Sequence, residues 1–198
     1  MVSLGFTKEQ FPAGVHICQI FQDNEEREDA LLNYLLSGLQ SGERTACFSD
    51  RTSGPVISEF LGRHGISCEK AQASDALMLA APQEIYFEGN RFDPDRMLTL
   101  LRDYHQTSVR NGYPAARVIG EMTPAIQRTP GGSRLMEYES KVSLLQRKHP
   151  VTAVCQYDAR SFDGAMIMDI LKVHPLMILR GTVIRNPFYI PPEKFLAH

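Results

Sequence analysis

The sequence lacks the features that mark several large classes of protein. No apolar run reaches the roughly 20 residues that a membrane-spanning helix needs. The start of the chain, MVSLGFTKEQFPAG, has neither the charged beginning nor the long apolar stretch of a signal peptide. The formal net charge is only −2, so electrostatics gives no reason to expect DNA or an anionic membrane as a direct partner. We therefore expect a cytoplasmic protein with no direct nucleic-acid or membrane contact.

Cysteine is sparse and is not arranged in pairs. The four cysteines are Cys18, Cys47, Cys68 and Cys155, and none of them belongs to a CxxC motif. This spacing excludes a zinc knuckle and a thioredoxin-like redox motif. In a reducing cytoplasm the four residues should be free thiols. Cys18, Cys47 and Cys155 lie inside apolar, strand-like runs, which is typical of small buried hydrophobic residues.

What the chain does contain is a regular alternation of short apolar runs and amphipathic stretches. It has 198 residues, of which 43% are hydrophobic, so a single domain with a substantial core is expected. No internal repeat, low-complexity tract or linker interrupts the pattern. The alternation predicts βαβ units and a mostly parallel sheet. Strands are predicted at 15–21, 44–49, 117–122 and 151–157, and helices are predicted to follow Asp23, Ser53, Asp93, Ser133 and Ser161.

Two further segments complete the predicted order of elements. The tail from His174 predicts one or two last strands, with Gly181 at a turn or bulge between them, and these could pair antiparallel at the sheet edge. Pro191 and Pro192 are expected to end the ordered pattern. Residues 76–87 predict a short helix or an edge strand, because the strand-like ALMLAA is followed by Pro82.

Several stretches taken together resemble a known family. HICQIF, LLSGLQSGERTACFS, RVIGEM, AVCQYD and the tail HPLMILRGTVIRNPFYIPPEKFL are similar to the MEDS domain, over about residues 12–196. That family is named for methanogen and methylotroph proteins and for the sensory part of a dichloromethane-responsive transcriptional regulator. LLSGLQSGER also resembles the first helix and second strand of RecA/KaiC-type ATPases. The resemblance implies a three-layer αβα RecA-like fold with an antiparallel C-terminal edge, and a role in signal input.

The family's founding regulator joins this domain to a DNA-binding segment. Neither end of the present sequence shows a helix-turn-helix pattern. The resemblance therefore implies one sensory domain over residues 1–198 that acts alone or through a separate protein.

A RecA-type ATPase needs a glycine-rich loop between its first strand and first helix. There, backbone N–H groups surround the phosphates, a lysine neutralises their charge, and Ser or Thr holds magnesium. The corresponding residues 21–29 read FQDNEERED, with no glycine, lysine, serine or threonine and with five acidic residues against Arg27. The acidic residues suit a helix N-terminus that binds no anion, and they would repel a triphosphate. We expect no ATP hydrolysis.

Ligands of open α/β sheets bind beyond the carboxyl ends of the strands. That rule nominates polar side chains at four strand ends as ligand contacts: Gln22, Asp50, Arg51, Glu121, Gln156, Tyr157 and Asp158. Glu121 corresponds to the position where a RecA-like protein would have its magnesium-associated acid. Asp50 lies near the position of a catalytic carboxylate. Such a pair could perform acid–base work. Without the loop lysine, polar ligand contacts or strand-end caps and salt bridges are the simpler interpretations.

Two more groups of residues carry candidate chemistry. His16 and Cys18 share one face of a strand, and with Cys155 or His174 they could form a metal or haem site, although nothing in the spacing requires it. A satisfied core histidine beside a buried thiol is the simpler interpretation, so neither a metal nor a cofactor is predicted. Three residues near the last strands could contact an anion or a partner: Arg180, Arg185 and Asn186. Solvated side chains are the simpler interpretation there.

Three functional classes remain open. We favour a sensory domain that binds a small molecule or a partner and relays the signal to a transcription factor, kinase or anti-sigma protein. The first alternative is an ATPase or small-molecule enzyme that uses Asp50 and Glu121. The second is an interaction module that works by homodimerisation or partner docking, with Phe188, Tyr189 and Phe195 in its apolar end segment.

Overall fold

The chain folds into a seven-stranded sheet with helices on both faces and two small hairpins. A computed structural model describes residues 1–197 of the 198. The strands in chain order are β1 (Val2–Ser3), β2 (Gln10–Phe11), β3 (His16–Phe21), β4 (Arg44–Phe48), β5 (Leu77–Ala80), β6 (Phe87–Glu88), β7 (Arg91–Phe92), β8 (Ala116–Glu121), β9 (Val151–Asp158), β10 (Leu176–Leu179) and β11 (Thr182–Arg185). The helices are α1 (Asn24–Gln40), α2 (Gly54–Arg63), α3 (Cys68–Ala73), α4 (Pro82–Tyr86), α5 (Pro94–Arg110), α6 (Leu135–Gln146), α7 (Gly164–Val173) and α8 (Pro192–Phe195).

The order of the strands in the main sheet is β11-β10-β3-β9-β8-β4-β5. Every neighbouring pair is parallel except β10 with β11, which form an antiparallel hairpin at one edge. This confirms the predicted parallel sheet with an antiparallel C-terminal edge. The crossover from β3 through α1 reaches β4, three strands away, while β9 lies directly beside β3. The carboxyl ends of β3, β9, β8 and β4 therefore meet along one edge.

Side-chain alternation along the strands divides the core into two layers. Ile17, Ile119 and Val154 pack on the face covered by α1, α2 and α3. Residues of opposite parity, such as Cys18, Val118 and Ala153, pack under α5, α6 and α7. Strands buried on both faces are apolar almost throughout, which is why VTAVCQYD and ARVIGE predict central strands so clearly.

Some predicted element boundaries were wrong. Ser133 does not cap α6, because residues 132–134 form a 3₁₀ turn and the helix begins at Leu135 with Arg134 before it and no side-chain cap. Pro191 and Pro192 do not end the ordered chain, since Pro192 starts the short helix α8, where proline suits the first turn. The small hairpins β1–β2 and β6–β7 were not predicted, because strands of two residues have no readable periodicity.

Residues 76–87 contain both elements that the sequence left open. β5 forms the edge strand next to β4, and α4 follows at Pro82. In the part of the chain that the structure describes, no helix is both long and apolar enough to span the bilayer.

A buried ion pair joins α1 to the sheet at the end opposite the strand carboxyl termini. The guanidinium of Arg117 on β8 faces both carboxylate oxygens of Glu43, with N–O distances of 2.6 and 2.7 Å. It also donates to the carbonyl oxygen of Tyr34 on α1 at 3.0 Å. Gly38 leaves room for this guanidinium, because a Cβ there would lie 2.7 Å from Cδ of Arg117 and 2.6 Å from Oγ1 of Thr45.

We predict that Gly38→Ala lowers the free energy of unfolding by about 1–3 kcal/mol, because the added methyl group would collide with a buried side chain that cannot move away. Gly62→Ala in α2 is the matched control. A Cβ at Gly62 meets no atom within 4 Å, so this change should be neutral or stabilising by up to about 1 kcal/mol. Urea unfolding of both variants measures the difference, and equal stabilities would contradict the assigned packing.

Candidate functional site

The carboxyl edge of the sheet forms a cleft of about 170 Å³. It brings together most of the side chains that the strand-end rule nominated. Its walls are formed by Phe21, Asp50, Arg51, Pro82, Glu121, Met122, Thr123, Pro124, Gln156 and Asp158. Ends of parallel strands converge at this edge, which explains why residues more than 100 positions apart share one cleft.

The guanidinium of Arg27 binds Glu121, one of the residues that line the cleft. Arg27 is fully buried in the first turns of α1, and its Nη1 donates to Oε1 of Glu121 at 2.6 Å. Its Nη2 donates to Oγ1 of Thr52 at 2.8 Å, and its Nε donates to Oδ1 of Asn24 at 2.9 Å. Burial lowers the pKa of Arg27, and the nearby Glu121 carboxylate opposes that effect. Arg27, the single cation of the acidic run 21–29, is thus already paired with other groups of the protein.

The acidic residues of the same run surround α1 without entering the cleft. Asp23 is the N-cap of α1, and its Oδ1 accepts a hydrogen bond from the backbone N–H of Glu25 at 2.8 Å. Glu25, Glu26 and Asp29 are exposed, as is Gln22, which does not line the cleft. The N-terminal turn of α1 therefore presents negative charge to solvent.

A second set of ion pairs crosses the mouth of the cleft. Nη2 of Arg51, in the loop after β4, donates to Oδ2 of Asp158 at the end of β9 over 2.7 Å. The backbone and side chain of Arg160 also donate to Asp158. Burial by itself would raise the pKa of Asp158, but the hydrogen bonds from Arg160 and Arg51 hold it at about 2. Arg51 is 39% exposed, so it is the cation of the cleft that solvent or a ligand can reach.

Gln156 forms the floor of the cleft between these two ion pairs. Its Nε2 donates to Oε1 of Gln19 at 2.7 Å and to the carbonyl oxygen of Arg27 at 3.0 Å. Among the described residues, Oε1 of Gln156 and Nε2 of Gln19 have no hydrogen-bond partner. A buried acceptor and a buried donor thus remain available beside the cleft.

Several nominated residues lie elsewhere. Tyr157 points to the opposite face of the sheet from Gln156, as alternation along a strand requires. Arg180 and Arg185 are exposed on the β10–β11 hairpin. Asn186 is buried and does not join them, because its Nδ2 donates to the carbonyl oxygens of Leu171 and His174 and its Oδ1 accepts from the N–H of Phe188. It anchors the tail to α7.

The other nominated residues form a buried cluster under α6 and α7. Nε2 of His16 lies 3.2 Å from Oε2 of Glu139, and Nε2 of His174 lies 3.6 Å from the same oxygen. Sγ of Cys155 lies 3.6 Å from Nε2 of His16 and 3.8 Å from Oε2 of Glu139. Cys18 is the neighbour of Cys155 in the sheet, but its Sγ points to the carbonyl oxygen of Leu176. We call His16, Glu139, Cys155 and His174 the four-residue cluster.

Burial sets the protonation of this cluster. It lowers the pKa of His16 and of His174 to about 3, so both imidazoles are neutral near pH 7. It raises the pKa of Glu139, which the hydrogen bond from the Tyr157 hydroxyl at 2.9 Å partly offsets. Two imidazoles, a carboxylate and a thiol are donor groups that transition metals prefer.

Glu139 and Arg27 are the functional residues that the sequence reasoning missed. Glu139 follows Leu135 by four residues on α6 and precedes Val142 by three, so it occupies a core position on the helix. A carboxylate at such a position is the signal that could have identified it. The sequence showed Arg27 only as the single basic residue of the acidic run 21–29. A lone arginine among acidic neighbours is the signal that could have indicated a buried ion pair.

Comparison with solved structures places the fold among RecA/KaiC-like proteins. The flagellar accessory protein FlaH of Methanocaldococcus jannaschii is similar with a TM-score of 0.60 and 11% identity, over 87% of this chain and 76% of that one. A KaiC-like protein of Pyrococcus horikoshii is similar with a TM-score of 0.57 and 12% identity, over 84% of this chain and 71% of that one. At these identities the likeness concerns the fold alone.

Comparison of sequences identifies the relatives of the chain. It is 24% identical over 160 residues to the transcriptional repressor DcmR of Methylorubrum extorquens, which covers 80% of the chain and 57% of the repressor. The chain therefore spans little more than half the length of that relative. The family model MEDS, described as "MEthanogen/methylotroph, DcmR Sensory domain", matches residues 15–175. Because that match extends over most of the chain, the protein belongs to the MEDS family of sensory domains.

Proposed function

We propose that this protein is a signal-sensing domain that binds a small molecule or a partner and relays the signal to transcriptional or signalling machinery, without hydrolysing ATP. The observation that carries the proposal is the buried contact between Arg27 and Glu121 at the position of a nucleotide-binding loop. The domain has kept the cleft of its fold but has filled the phosphate position with its own cation.

The electrostatics of this position oppose a triphosphate. A phosphate at the start of α1 would need free N–H donors and a free cation. The Arg27 donors are used by Glu121, Thr52 and Asn24, and the cap at Asp23 uses the N–H of Glu25. A nucleotide would have to break this buried pair and would place its charge beside exposed carboxylates. Both steps are unfavourable.

The remaining part of the cleft suits a small polar ligand. Its volume of about 170 Å³ is smaller than the 300 Å³ or so at the low end of drug-sized sites. Arg51 is partly exposed, and the same cleft is lined by Gln156, whose buried Oε1 has no hydrogen-bond partner among the described residues. A ligand that binds Arg51 in place of Asp158 would release the end of β9 from the loop after β4. Such an exchange of partners provides two states that a signal can select between.

The output of the domain is inferred from a relative. Its support is the likeness to DcmR, a transcriptional repressor that extends well beyond the matched region. We infer that a transcription factor, kinase or anti-sigma protein receives the signal.

The apolar end of the chain favours a second candidate function, homodimerisation or partner docking at the sheet edge. Leu179 is 52% exposed and Phe188 is 50% exposed, next to the open edge formed by β11. If this edge forms a dimer, Leu179→Glu should convert it to a monomer in sedimentation velocity. Val109→Glu, a change at an equally exposed position on α5, should not. A wild-type monomer at all concentrations would exclude homodimerisation at this edge.

We predict that the purified chain hydrolyses no ATP above background with Mg²⁺ and shows no heat of ATP binding in titration calorimetry. The physical reason is that the phosphate position already holds Arg27 and its partners. Asp50→Asn and Glu121→Gln are the control variants, after circular dichroism has shown that both are folded. Turnover that is present in the wild type and lost in either variant would show that the domain is an enzyme. Turnover unchanged in both variants identifies a contaminant.

We also predict a ligand that depends on Arg51. Native mass spectrometry of the chain purified without denaturation should show an added small-molecule mass. Arg51→Ala should lower the bound fraction about tenfold or more, as expected for the loss of one charge-assisted hydrogen bond. Arg110→Ala, which removes an exposed arginine at the end of α5, is the matched control and should bind as the wild type does. Equal loss in both variants, or none in either, would contradict a ligand site at Arg51.

A further inference from the structure

The four-residue cluster has the geometry of a metal site. In a tetrahedral zinc site the ligand atoms lie about 2.0–2.3 Å from the metal, so neighbouring ligand atoms are about 3.3–3.8 Å apart. Four pairs in the cluster have separations of 3.2, 3.6, 3.6 and 3.8 Å, and all four ligand atoms lie within 4.8 Å of one another. Only small movements of side chains would be needed to enclose an ion.

The hydrogen bond between His174 and Ile170 fixes the tautomer of the His174 ring. Nδ1 lies 2.8 Å from the carbonyl oxygen of Ile170, which can only accept, so Nδ1 carries the proton. In the neutral ring, Nε2 is then an acceptor, and it points at the carboxylate of Glu139, which in its charged form is also an acceptor. Among the described residues, Nε2 of His174 has no hydrogen-bond partner although the side chain is fully buried. A cation between the two groups would resolve this conflict.

A proton and a metal ion differ in how many groups they can satisfy. A proton on Oε2 of Glu139 can be donated to one group only, namely Nε2 of His174, while His16 in its Nε2–H form can donate to the same oxygen. A divalent metal would bind both nitrogens, the carboxylate and the sulfur together. The charges also balance, since two neutral imidazoles, one carboxylate and one thiolate sum to −2 and a divalent cation cancels them. A buried site without net charge avoids the cost of isolated charges.

Outer hydrogen bonds hold three of the four side chains in place. Oγ of Ser143 lies 3.2 Å from Nδ1 of His16, the carbonyl oxygen of Ile170 binds His174, and the Tyr157 hydroxyl donates to Oε1 of Glu139. Metal sites in proteins commonly have such partners, because they fix the tautomer and orientation of each ligand. The cluster therefore has an outer shell on three of its four members.

We propose that His16, Glu139, Cys155 and His174 together bind one divalent transition-metal ion of the zinc type. On binding, Cys155 and, where it is protonated, Glu139 release their protons to solvent, and four coordinate bonds form. The metal would connect β3, β9, α6 and the end of α7. A cavity of about 30 Å³ borders Glu139 and Cys155, with room for one water molecule.

The site is spatially separate from the proposed ligand cleft and shares none of its lining residues. The cluster lies on the face covered by α6 and α7, whereas Arg51 and Gln156 lie at the carboxyl edge on the face covered by α1. Either proposal can therefore fail while the other holds.

The test is metal content and Co²⁺ spectroscopy of the full chain, produced without an affinity tag in medium with added Zn²⁺ or Co²⁺. We expect one metal per chain by plasma mass spectrometry. The Co²⁺ form should show intense tetrahedral d–d bands and a thiolate-to-cobalt charge-transfer band. Cys155→Ala should abolish the charge-transfer band, and Tyr157→Phe should weaken binding by about 10–100-fold, as loss of an outer-shell partner does.

Cys18→Ala is the matched control, because Cys18 lies beside Cys155 on the same face but its sulfur points away from the cluster. It should retain one metal and the charge-transfer band. Glu139→Gln distinguishes a cluster that holds a proton from one that holds a metal ion. A glutamine amide can replace a protonated carboxyl but binds a divalent metal poorly. A wild type that is folded and takes up no metal would overturn the proposal. Equal metal content in wild type, Cys155→Ala and Glu139→Gln would do so too.

Discussion

One buried guanidinium determines what the carboxyl edge of this sheet can do. Removing the charge of Arg27 from water is costly, and the cost is offset only because Glu121, Thr52 and Asn24 satisfy its donors. The same contacts join α1, the end of β8 and the loop after β4, so the geometry of the cleft depends on them. Ser49 adds a second hydrogen bond to the same oxygen of Glu121 at 2.6 Å. These contacts connect the start of α1 to the sheet, and the space beside them remains open.

Buried polar groups in three regions differ in what surrounds them. Arg117 and Glu43 face each other with both carboxylate oxygens engaged, which suits a purely structural role. Each donor nitrogen of the Arg27 side chain likewise has a partner. In the four-residue cluster, Nε2 of His174 is buried without a hydrogen-bond partner among the described residues, and it lies among three further groups that can bind a metal. The two arginine–glutamate pairs do not offer that combination of groups.

Most of the fold could be predicted from the sequence, because buried parallel strands and amphipathic helices leave strong periodic signals. The runs at β3, β4, β8 and β9, and the antiparallel edge, were predicted near their observed positions. The cleft was predicted in part, since a rule about strand ends locates Asp50, Arg51, Glu121, Gln156 and Asp158 without knowing the partners. The same rule misplaced Tyr157, because it ignores alternation along β9. Glu139 could not be placed opposite His16, as contacts between distant segments leave no local pattern.

Strands β3 and β9 both contribute to the two sites, because β3 supplies Phe21 to the cleft and His16 to the four-residue cluster. On β9, the residues of one parity, Gln156 and Asp158, form the floor and mouth of the cleft, and those of the other parity, Cys155 and Tyr157, belong to or support the cluster. A strand hydrogen-bonded on both sides moves as a unit, and close packing does not absorb its displacement locally. A ligand that separates Asp158 from Arg51 would therefore change the position of Cys155 relative to α6. If the cluster binds a metal, that contact resists the movement, and metal occupancy and ligand affinity must influence each other reciprocally.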